Sequence, residues 1–311
     1  MRRHVIRWGE VVFDRGTKRR QRERSFDCEF LREAVAQRVV GRLRDLTGEF
    51  EKVLDVGCHT GHIRRALTHD AVPIRELAQC DMAPAVVREC ERRAREEATP
   101  FGLSYAVGDE EQLPYEPHTF DMVLSLALHW VNDLPLALFN IRHMLRPDGV
   151  FVGALLGGGT LVELQTAFAV AEEERTAGLG PHASPATRIA DCGSLMQQAG
   201  FNLITVDVDK ITVDYGDAFL LLDDLQAMGE QHAPVAAPPP TSRDTFLAMA
   251  AAYDALYRRR QEKASATSSS SSSSIPATFE VLYLIGWAPA ASQPKPLARG
   301  SATARIGDLL K

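Results

Sequence analysis

The sequence predicts an α/β fold in which a largely parallel sheet carries helices on both faces. Short apolar runs alternate with amphipathic helical segments through the first half of the chain. Strands that alternate with helices form βαβ units, which place the helices on the two faces of a parallel sheet. With 311 residues, 45% of them hydrophobic, the chain is also long enough to bury a large core without disulfides.

The first half of the chain contains five predicted strands and four predicted helices. Leu31, Val35, Val39 and Leu43 recur every four residues and indicate an amphipathic helix that begins after residue 26. The dipeptide Asp148-Gly149 is typical of the end of a helix and a turn into the next strand. The predicted strands are 51–56, 76–80, 101–107, 120–126 and 149–156, and the other helices are 61–69, 84–98 and 133–146.

The second half predicts helices over 159–175 and 188–199 and two further strands, one of them antiparallel, over 203–213 and 277–287. Residues 217–262 are expected to form an inserted helical lid. Its Pro-rich segment 232–242 and the Ser-rich segment 264–275 that follows it indicate flexible loops. We therefore expect a basic N-terminal arm over 1–25, one domain over 26–290 and a C-terminal tail over 291–311.

Composition excludes several classes of function. Thirty-five Lys and Arg residues stand against 41 acidic ones, a net charge of −6, which argues against nucleic-acid binding. The five cysteines lack metal-binding spacing, and none of the nine histidines belongs to a His-x-Asp or His-x-Glu pair, so no local motif predicts a metal. The basic run from Lys18 to Arg24 is expected to be a solvated face rather than a contact for an acidic partner or a membrane.

The segment VLDVGCHTGHIRRAL, residues 53–67, is the most informative one. A buried strand ends around Asp55, and glycines in the loop after it allow a ligand to approach the backbone at the carboxyl end of the strand. The spacing of Gly57 and Gly61 does not fit the dinucleotide fingerprint G-x-G-x-x-G. It fits the D-x-G-x-G-x-G loop of class I S-adenosylmethionine-dependent methyltransferases, except that His59 replaces the middle glycine. By itself, the loop also fits a plain packing turn.

Acidic residues follow two further predicted strands. Asp81 ends the second strand, where a carboxylate can accept hydrogen bonds from ribose hydroxyls, although the same residue also suits the start of the next helix. Asp109 follows the third strand, where a short acid can accept from an adenine amino group. The order of these features predicts an S-adenosylmethionine site. Histidine tolerates a left-handed backbone better than most residues, so His59 can occupy the glycine position with its ring turned away or partly in the site.

Longer segments of the chain resemble the family of mitochondrial complex I assembly factors of the arginine-hydroxylase type (assembly factor five). The resemblance extends nearly over the whole chain and includes its C-terminal tail. The segments that carry it are 13–35, FDMVLSLALHWVNDLP (120–135), 145–164, LQAMGE (225–230), ATFEVLYLIGW (277–287) and ARGSATARIGDL (298–309).

The resemblance implies a seven-stranded Rossmann-like methyltransferase fold that binds S-adenosyl-L-methionine in the mitochondrial matrix, with peripheral association with the inner membrane as a further expectation. It implies hydroxylation of an arginine on a complex I subunit of the quinone-reducing arm, the one related to bacterial NuoB. The implied cofactor-binding residues are Asp55, Gly57, Cys58, His59, Gly61, Asp81, Met82, Asp109 and Glu110. The implied substrate-facing, catalytic candidates are Ser125, His129 and Trp130.

Two alternatives remain open. The same core resembles the malonyl-carrier methyltransferases of biotin synthesis, so conventional methyl transfer is one. A non-catalytic assembly chaperone is the other. Hydroxylation is implied by the resemblance alone, because the residues themselves indicate only a methyltransferase fold. Trp130 also has a structural interpretation, as a packing anchor with its indole N–H bonded.

Overall fold

The computed structural model describes residues 11–46, 48–69, 72–176, 180, 182, 184–235, 241–260 and 273–294. Seven long strands form one sheet in the order β3-β2-β1-β4-β5-β8-β6, and the short strand β7 pairs with the start of β8. The strands are β1 Phe50–Val56, β2 Ile74–Asp81, β3 Gly102–Val107, β4 Phe120–Ser125, β5 Leu145–Leu156, β6 Asn202–Tyr215, β7 Arg259–Arg260 and β8 Ser273–Trp287.

Helices connect these strands as the sequence predicts. The helices are α1 Arg15–Arg22, α2 Phe30–Leu43, α3 His62–His69, α4 Pro84–Glu96, α5 Leu134–Met144, α6 Val162–Thr176, α7 Ile189–Gln198, α8 Ala218–Ala227 and α9 Arg243–Tyr257. A 3-10 turn, Leu128–Trp130, follows β4. None of the helices in the described part of the chain is long and apolar enough to cross a membrane.

The sheet confirms the predicted α/β class and its single antiparallel long strand. β1 pairs in parallel with β2 and β4, whereas β8 runs antiparallel to both β5 and β6. Successive residues of β1 face opposite sides, so Val53 packs in one core layer and Leu54 in the other. Because the first four parallel strands end at one edge of the sheet, the loops after them meet there.

The start of β5 differs from the prediction. α5 ends at Met144, and Leu145 already pairs with Phe120, so the strand begins four residues before Gly149. Asp148 has a φ of 66°, and the pairing of β4 with β5 shifts register between Phe120 and Met122. The Asp-Gly pair therefore makes an irregularity inside the strand instead of separating it from the helix.

The predicted lid is built into the core. Leu221 of α8 and Tyr253 of α9 are buried in the same apolar cluster as strand β8, and the Tyr253 hydroxyl donates to Pro276 O at 2.9 Å. Helices α8 and α9 thus do not form a detached cover, because lifting them would expose core side chains to water. Of the two predicted loops, 236–240 and 264–272 lie outside the described residues, while residues 273–275 begin β8.

The prediction of a solvated basic face is wrong for Lys18 and Arg22, whereas Arg19, Arg20 and Arg24 are exposed as predicted. Lys18 and Arg22 of α1 are buried, at 0% and 4% exposure, because this helix packs its cationic side chains against acidic and carbonyl groups of the domain. Residues 1–10 and 295–311, which include most of the predicted tail, lie outside the described residues.

Candidate functional site

The loop after β1 has the tight, left-handed geometry that its glycines predict. Gly57, His59 and Gly61 have φ angles of 70°, 49° and 90°. A Cβ atom added at Gly57 would lie 2.3 Å from the Cβ of Ala127, so no larger residue fits there without movement. The amides of Gly57 and Cys58 donate to Cys80 O at 2.8 and 3.0 Å, which ties the loop to the end of β2.

His59 takes the left-handed conformation predicted for it. Its backbone amide donates to Asp81 Oδ2 at 3.2 Å, as a glycine amide could. Its imidazole is buried, lies 2.9 Å from the Ser25 hydroxyl through Nε2, and stacks on His62 with ring centroids 5.4 Å apart. The ring lines the cavity beside the loop, so it partly occupies the space that a glycine would leave open.

This central cavity lies at the carboxyl edge of the sheet. Its lining includes Arg32, Asp55, His59, Asp81, His129 and Glu230. Residues from α2, from three strand ends and from the segment after α8 therefore meet around one space.

Asp55 is an acid of the cavity whose ionisation is opposed by burial. Its side chain is buried, and its Oδ2 accepts only a long hydrogen bond of 3.4 Å from Gln79. Its Oδ1 has no hydrogen-bond partner in the described structure. Burial raises the pKa of Asp55 to about 7, because the charged form has lost its hydration and gained little in return.

Asp81 ends β2 and lies just before α4, as its interpretation at the start of the next helix predicts. Its Oδ1 accepts from the amide of Ala83 at 2.9 Å, just before α4, and its Oδ2 accepts from His59. The Arg22 guanidinium lies 3.4 Å from Oδ1. The next residue, Met82, is buried beside Phe26 instead of facing open space.

Arginines of α1 cover the acids that follow β3. Glu110 is buried and accepts hydrogen bonds from both Arg22 and Arg15. Burial opposes ionisation of this carboxyl, but the two guanidinium groups outweigh it and lower its pKa to about 2. Asp109 lies 2.6 Å from Arg15 Nη2. Sequence reasoning missed these arginines because it placed α1 in solvent.

The three catalytic candidates occupy different environments. The buried Ser125 hydroxyl donates to Val56 O at 2.9 Å and accepts from the Ala127 amide. It therefore links the end of β4 to the end of β1. His129 and Trp130 line the central cavity. The Trp130 indole N–H donates to Glu230 Oε2 at 2.7 Å, and Lys18 Nζ lies 3.3 Å from the indole centroid. The anchoring interpretation of Trp130 is confirmed.

Two further charged residues at the cavity, Arg32 and Glu230, were not identified from the sequence. Glu230 is held by Arg32, whose Nη2 lies 2.7 Å from Glu230 Oε1 and also donates to Met228 O at 2.6 Å. The Nη1 of Arg32 is buried and finds no partner in the described parts of the chain. The segment LQAMGE carries part of the family resemblance, and this was the signal that could have identified Glu230.

One group of side chains in the described residues has the composition of a metal site. Potential ligand atoms of Glu29, His59 and His62 lie within 4.8 Å of one another. The Thr60 hydroxyl contacts all three, at 3.4 Å from His59 Nδ1 and 3.3 Å from His62 Nε2. Arg93 also binds the Glu29 carboxylate at 2.9 Å. The group thus forms a hydrogen-bonded network whose single carboxylate is already paired with a cation.

Comparison with known proteins identifies the family. A methyltransferase domain model matches residues 54–153, from β1 into β5. A Danio rerio protein named arginine-hydroxylase NDUFAF5, mitochondrial, is 41% identical over 98% of this chain and 91% of its own length. The Homo sapiens protein of that name is 40% identical over 96% of this chain and 84% of its own length. The chain belongs to the NDUFAF5 arginine-hydroxylase family.

More distant likenesses are consistent with a methyltransferase core in this NDUFAF5 family member. A malonyl-[acyl-carrier protein] O-methyltransferase of Xylella fastidiosa is 31% identical over 84% of the chain and 82% of its own length. Among solved structures, the Bacillus halodurans protein BH2331 aligns with a TM-score of 0.56 at 14% identity, over 83% of this chain and all of that one. At this identity, the structural likeness establishes the shared fold.

Proposed function

We propose that this NDUFAF5 family member binds S-adenosylmethionine and hydroxylates an arginine of a complex I subunit, the NuoB-related one of the quinone-reducing arm. Relatives named mitochondrial arginine-hydroxylases, similar over nearly the full chain, support the reaction class and the compartment. The observation that carries the cofactor is a pair of unpartnered, oppositely charged groups, Asp55 Oδ1 and Arg32 Nη1, among the described residues of one cavity.

The amino-acid end of S-adenosylmethionine fits this pair. Its ammonium group supplies donors for Asp55 Oδ1, and its carboxylate supplies acceptors for Arg32 Nη1, so each buried atom gains the partner that it lacks. The ammonium would also favour the charged form of Asp55, whose pKa burial raises. When bound, the cofactor supplies an activated sulfonium centre, while this chain's residues bind and orient it.

The remaining cofactor residues require a rearrangement of α1. Asp81 is the proposed acceptor for the ribose hydroxyls, and Asp109 and Glu110 are proposed to flank the adenine. Arg22 and Arg15 now bind these three acids. We therefore propose that the guanidinium groups of α1 shift when the nucleoside part enters, since carboxylates that are paired with arginine offer fewer free lone pairs.

The proposed protein substrate presents an arginine to the loop after β4, where His129 and Trp130 lie at the cavity. A matrix location, peripheral to the inner membrane, would bring the protein to the complex I subunit during assembly. Conventional methyl transfer is the second candidate, favoured by the similarity to malonyl-[acyl-carrier protein] O-methyltransferases. A non-catalytic chaperone is the third.

Accurate-mass peptide mapping of the NuoB-related subunit tests the proposal. Cells that lack this protein are complemented with the wild type, with Asp81→Ala or with the control Asp207→Ala. Asp207 lies on strand β6, and its carboxylate pairs with Arg42 of α2. We expect an added oxygen atom on one arginine with the wild type and the control, and its loss with Asp81→Ala, because the ribose acceptor is gone.

Each other outcome assigns a different function. An added methylene group instead of oxygen would identify a methyltransferase and contradict hydroxylation. Complex I that assembles normally with Asp81→Ala, although the isolated variant binds no S-adenosylmethionine by calorimetry, would identify a cofactor-independent chaperone. An unmodified arginine with the wild type would contradict both enzymatic functions.

A further inference from the structure

We propose that Glu230 is a positioning residue that fixes the His129 imidazole with its Nδ1 atom free to accept a hydrogen bond from the guanidinium of the substrate arginine. Neither residue belongs to the methyltransferase loop after β1. Glu230 lies after α8, and His129 lies in the 3-10 turn after β4. The inference rests on the proposed function only for the identity of the substrate donor.

Glu230 is ionised in the folded protein. Its side chain is buried, and burial opposes ionisation, but the hydrogen bond from His129 and the Arg32 guanidinium hold its pKa well below the ordinary value. An ionised carboxylate can only accept hydrogen bonds. The atom of His129 that faces it, Nε2 at 3.1 Å from Oε2, must therefore carry a proton.

The other ring nitrogen of His129, Nδ1, has a free lone pair. Burial lowers the pKa of His129 despite the opposing effect of Glu230, and the cations Lys18 and Arg22 act in the same direction as burial. His129 is thus neutral at pH 7, and a neutral imidazole protonated on Nε2 has a lone pair on Nδ1. This Nδ1 atom is buried and has no hydrogen-bond partner in the described structure.

Hydrogen bonds from Trp130 and Arg32 hold the Glu230 carboxylate in place beside His129. The Trp130 indole N–H donates to the same Glu230 Oε2 at 2.7 Å, and Arg32 binds the other oxygen at 2.7 Å. Both carboxylate oxygens are therefore engaged, which restricts rotation of the group that orients His129. A guanidinium has five N–H donors and no acceptor, so a fixed neutral acceptor at the cavity complements it.

The test uses the full chain labelled with ¹⁵N-histidine and saturated with S-adenosylhomocysteine. Long-range ¹H–¹⁵N NMR assigns the tautomer of His129, and N-acetyl-L-arginine amide serves as the substrate probe. For the wild type we expect the Nε2–H tautomer and an upfield shift of the Nδ1 resonance as the probe is added. The tautomer measurement needs no substrate, so it stands or fails independently of the hydroxylase function.

Glu230→Gln removes the charge but nearly keeps the shape. Because an amide can donate as well as accept, the tautomer is no longer fixed, and we expect mixed or reversed protonation of His129. With S-adenosylhomocysteine kept at saturation for each variant, affinity for the probe should fall about 5- to 10-fold, the value of one hydrogen bond. Glu230→Asp, which keeps the charge, should restore the Nε2–H tautomer in part.

Glu172→Gln is the matched control, because Glu172 forms a second carboxylate–histidine pair, with His182, that does not line the central cavity. It should leave the His129 resonances and probe affinity unchanged. A wild-type His129 that is protonated on Nδ1, or on both nitrogens at pH 7, would overturn the positioning role. Absence of probe binding, or binding without a change at Nδ1, would overturn the guanidinium acceptor.

Discussion

At the carboxyl edge of the sheet, two buried acidic residues have strongly shifted pKa values. Asp55 is buried with one oxygen unpartnered among the described residues, whereas Glu110, equally buried, has two arginines. Burial opposes ionisation of both carboxyls, but only Glu110 has cations that outweigh this effect. The pKa of Asp55 rises to about 7, and that of Glu110 falls to about 2.

The raised pKa of Asp55 gives a testable pH dependence. The folded protein retains this proton up to about pH 7, whereas the unfolded chain releases it near pH 4, so the stabilising contribution is complete below pH 4 and is lost as the pH rises through 7. Asp55→Asn, which cannot ionise, should match the cofactor-free wild type near pH 4. At pH 8 it should be more stable by up to about 4 kcal/mol.

Urea unfolding of both cofactor-free proteins across this range measures the difference. Asp27→Asn is the control, since Asp27 is exposed and should give the same free energy of unfolding as the wild type at each pH. If Asp55→Asn differs from the wild type by the same amount at both ends of the range, the buried carboxyl does not titrate as described.

At the scale of elements, α1 is the feature that changes the interpretation of the site. Its sequence, RGTKRRQR, was expected to belong to a solvated basic arm, yet it forms a helix and three of its cations face the domain. Lys18 reaches the segment after α8, where its Nζ donates to Gly229 O at 2.7 Å and to Gln231 O at 3.2 Å. The helix thereby links both sides of the central cavity.

Substitution of Lys18 tests this link. Lys18→Met keeps the aliphatic stem but leaves two carbonyl groups without their donor, so we expect the free energy of unfolding to fall by about 3 kcal/mol. The matched control is Arg19→Met on the solvent side of the same helix, where the side chain is 54% exposed. A loss of the same size in both variants, measured by urea unfolding, would show that the buried contacts contribute nothing.

At the scale of the whole molecule, the sheet shares two extensive core layers with helices α2, α3 and α5 to α9. α9 packs beside α6, with Phe246 and Phe168 in edge-to-face contact at 5.8 Å, and Tyr253 reaches the backbone of β8. We therefore expect helices α8 and α9 to unfold together with the part of the domain that carries the proposed cofactor site.

Calorimetry with S-adenosylhomocysteine tests this cooperativity. At a ligand concentration of 100 times Kd, binding to the folded state adds about 2.7 kcal/mol. A single transition should move upward by roughly 5 °C, and Asp81→Ala should show no such shift because its ribose acceptor is missing. Two transitions, of which the ligand moves only one, would show that α8 and α9 fold separately from the cofactor site.

The sequence alone was sufficient for the fold and for the loop at its centre. Alternation of apolar strands with amphipathic helices is a local property, and it predicted the parallel sheet. One of the last two long strands was expected to be antiparallel, and the structure shows that it is β8. The glycines around Asp55 predicted a loop that a ligand can approach closely, and His59 was expected to tolerate the left-handed backbone that it adopts. These features were predictable because steric limits on the backbone act within a few residues.

Only the tertiary structure decided which charges meet. Arg22 and Glu110 are 88 residues apart, and His129 and Glu230 are 101 residues apart, so no local pattern could pair them. Whether Lys18 is solvated or buried likewise depends on the distant carbonyls that receive it. Side-chain ionisation and tautomers are set by burial and by the nearest charges in space, and these neighbours exist only once the chain has folded.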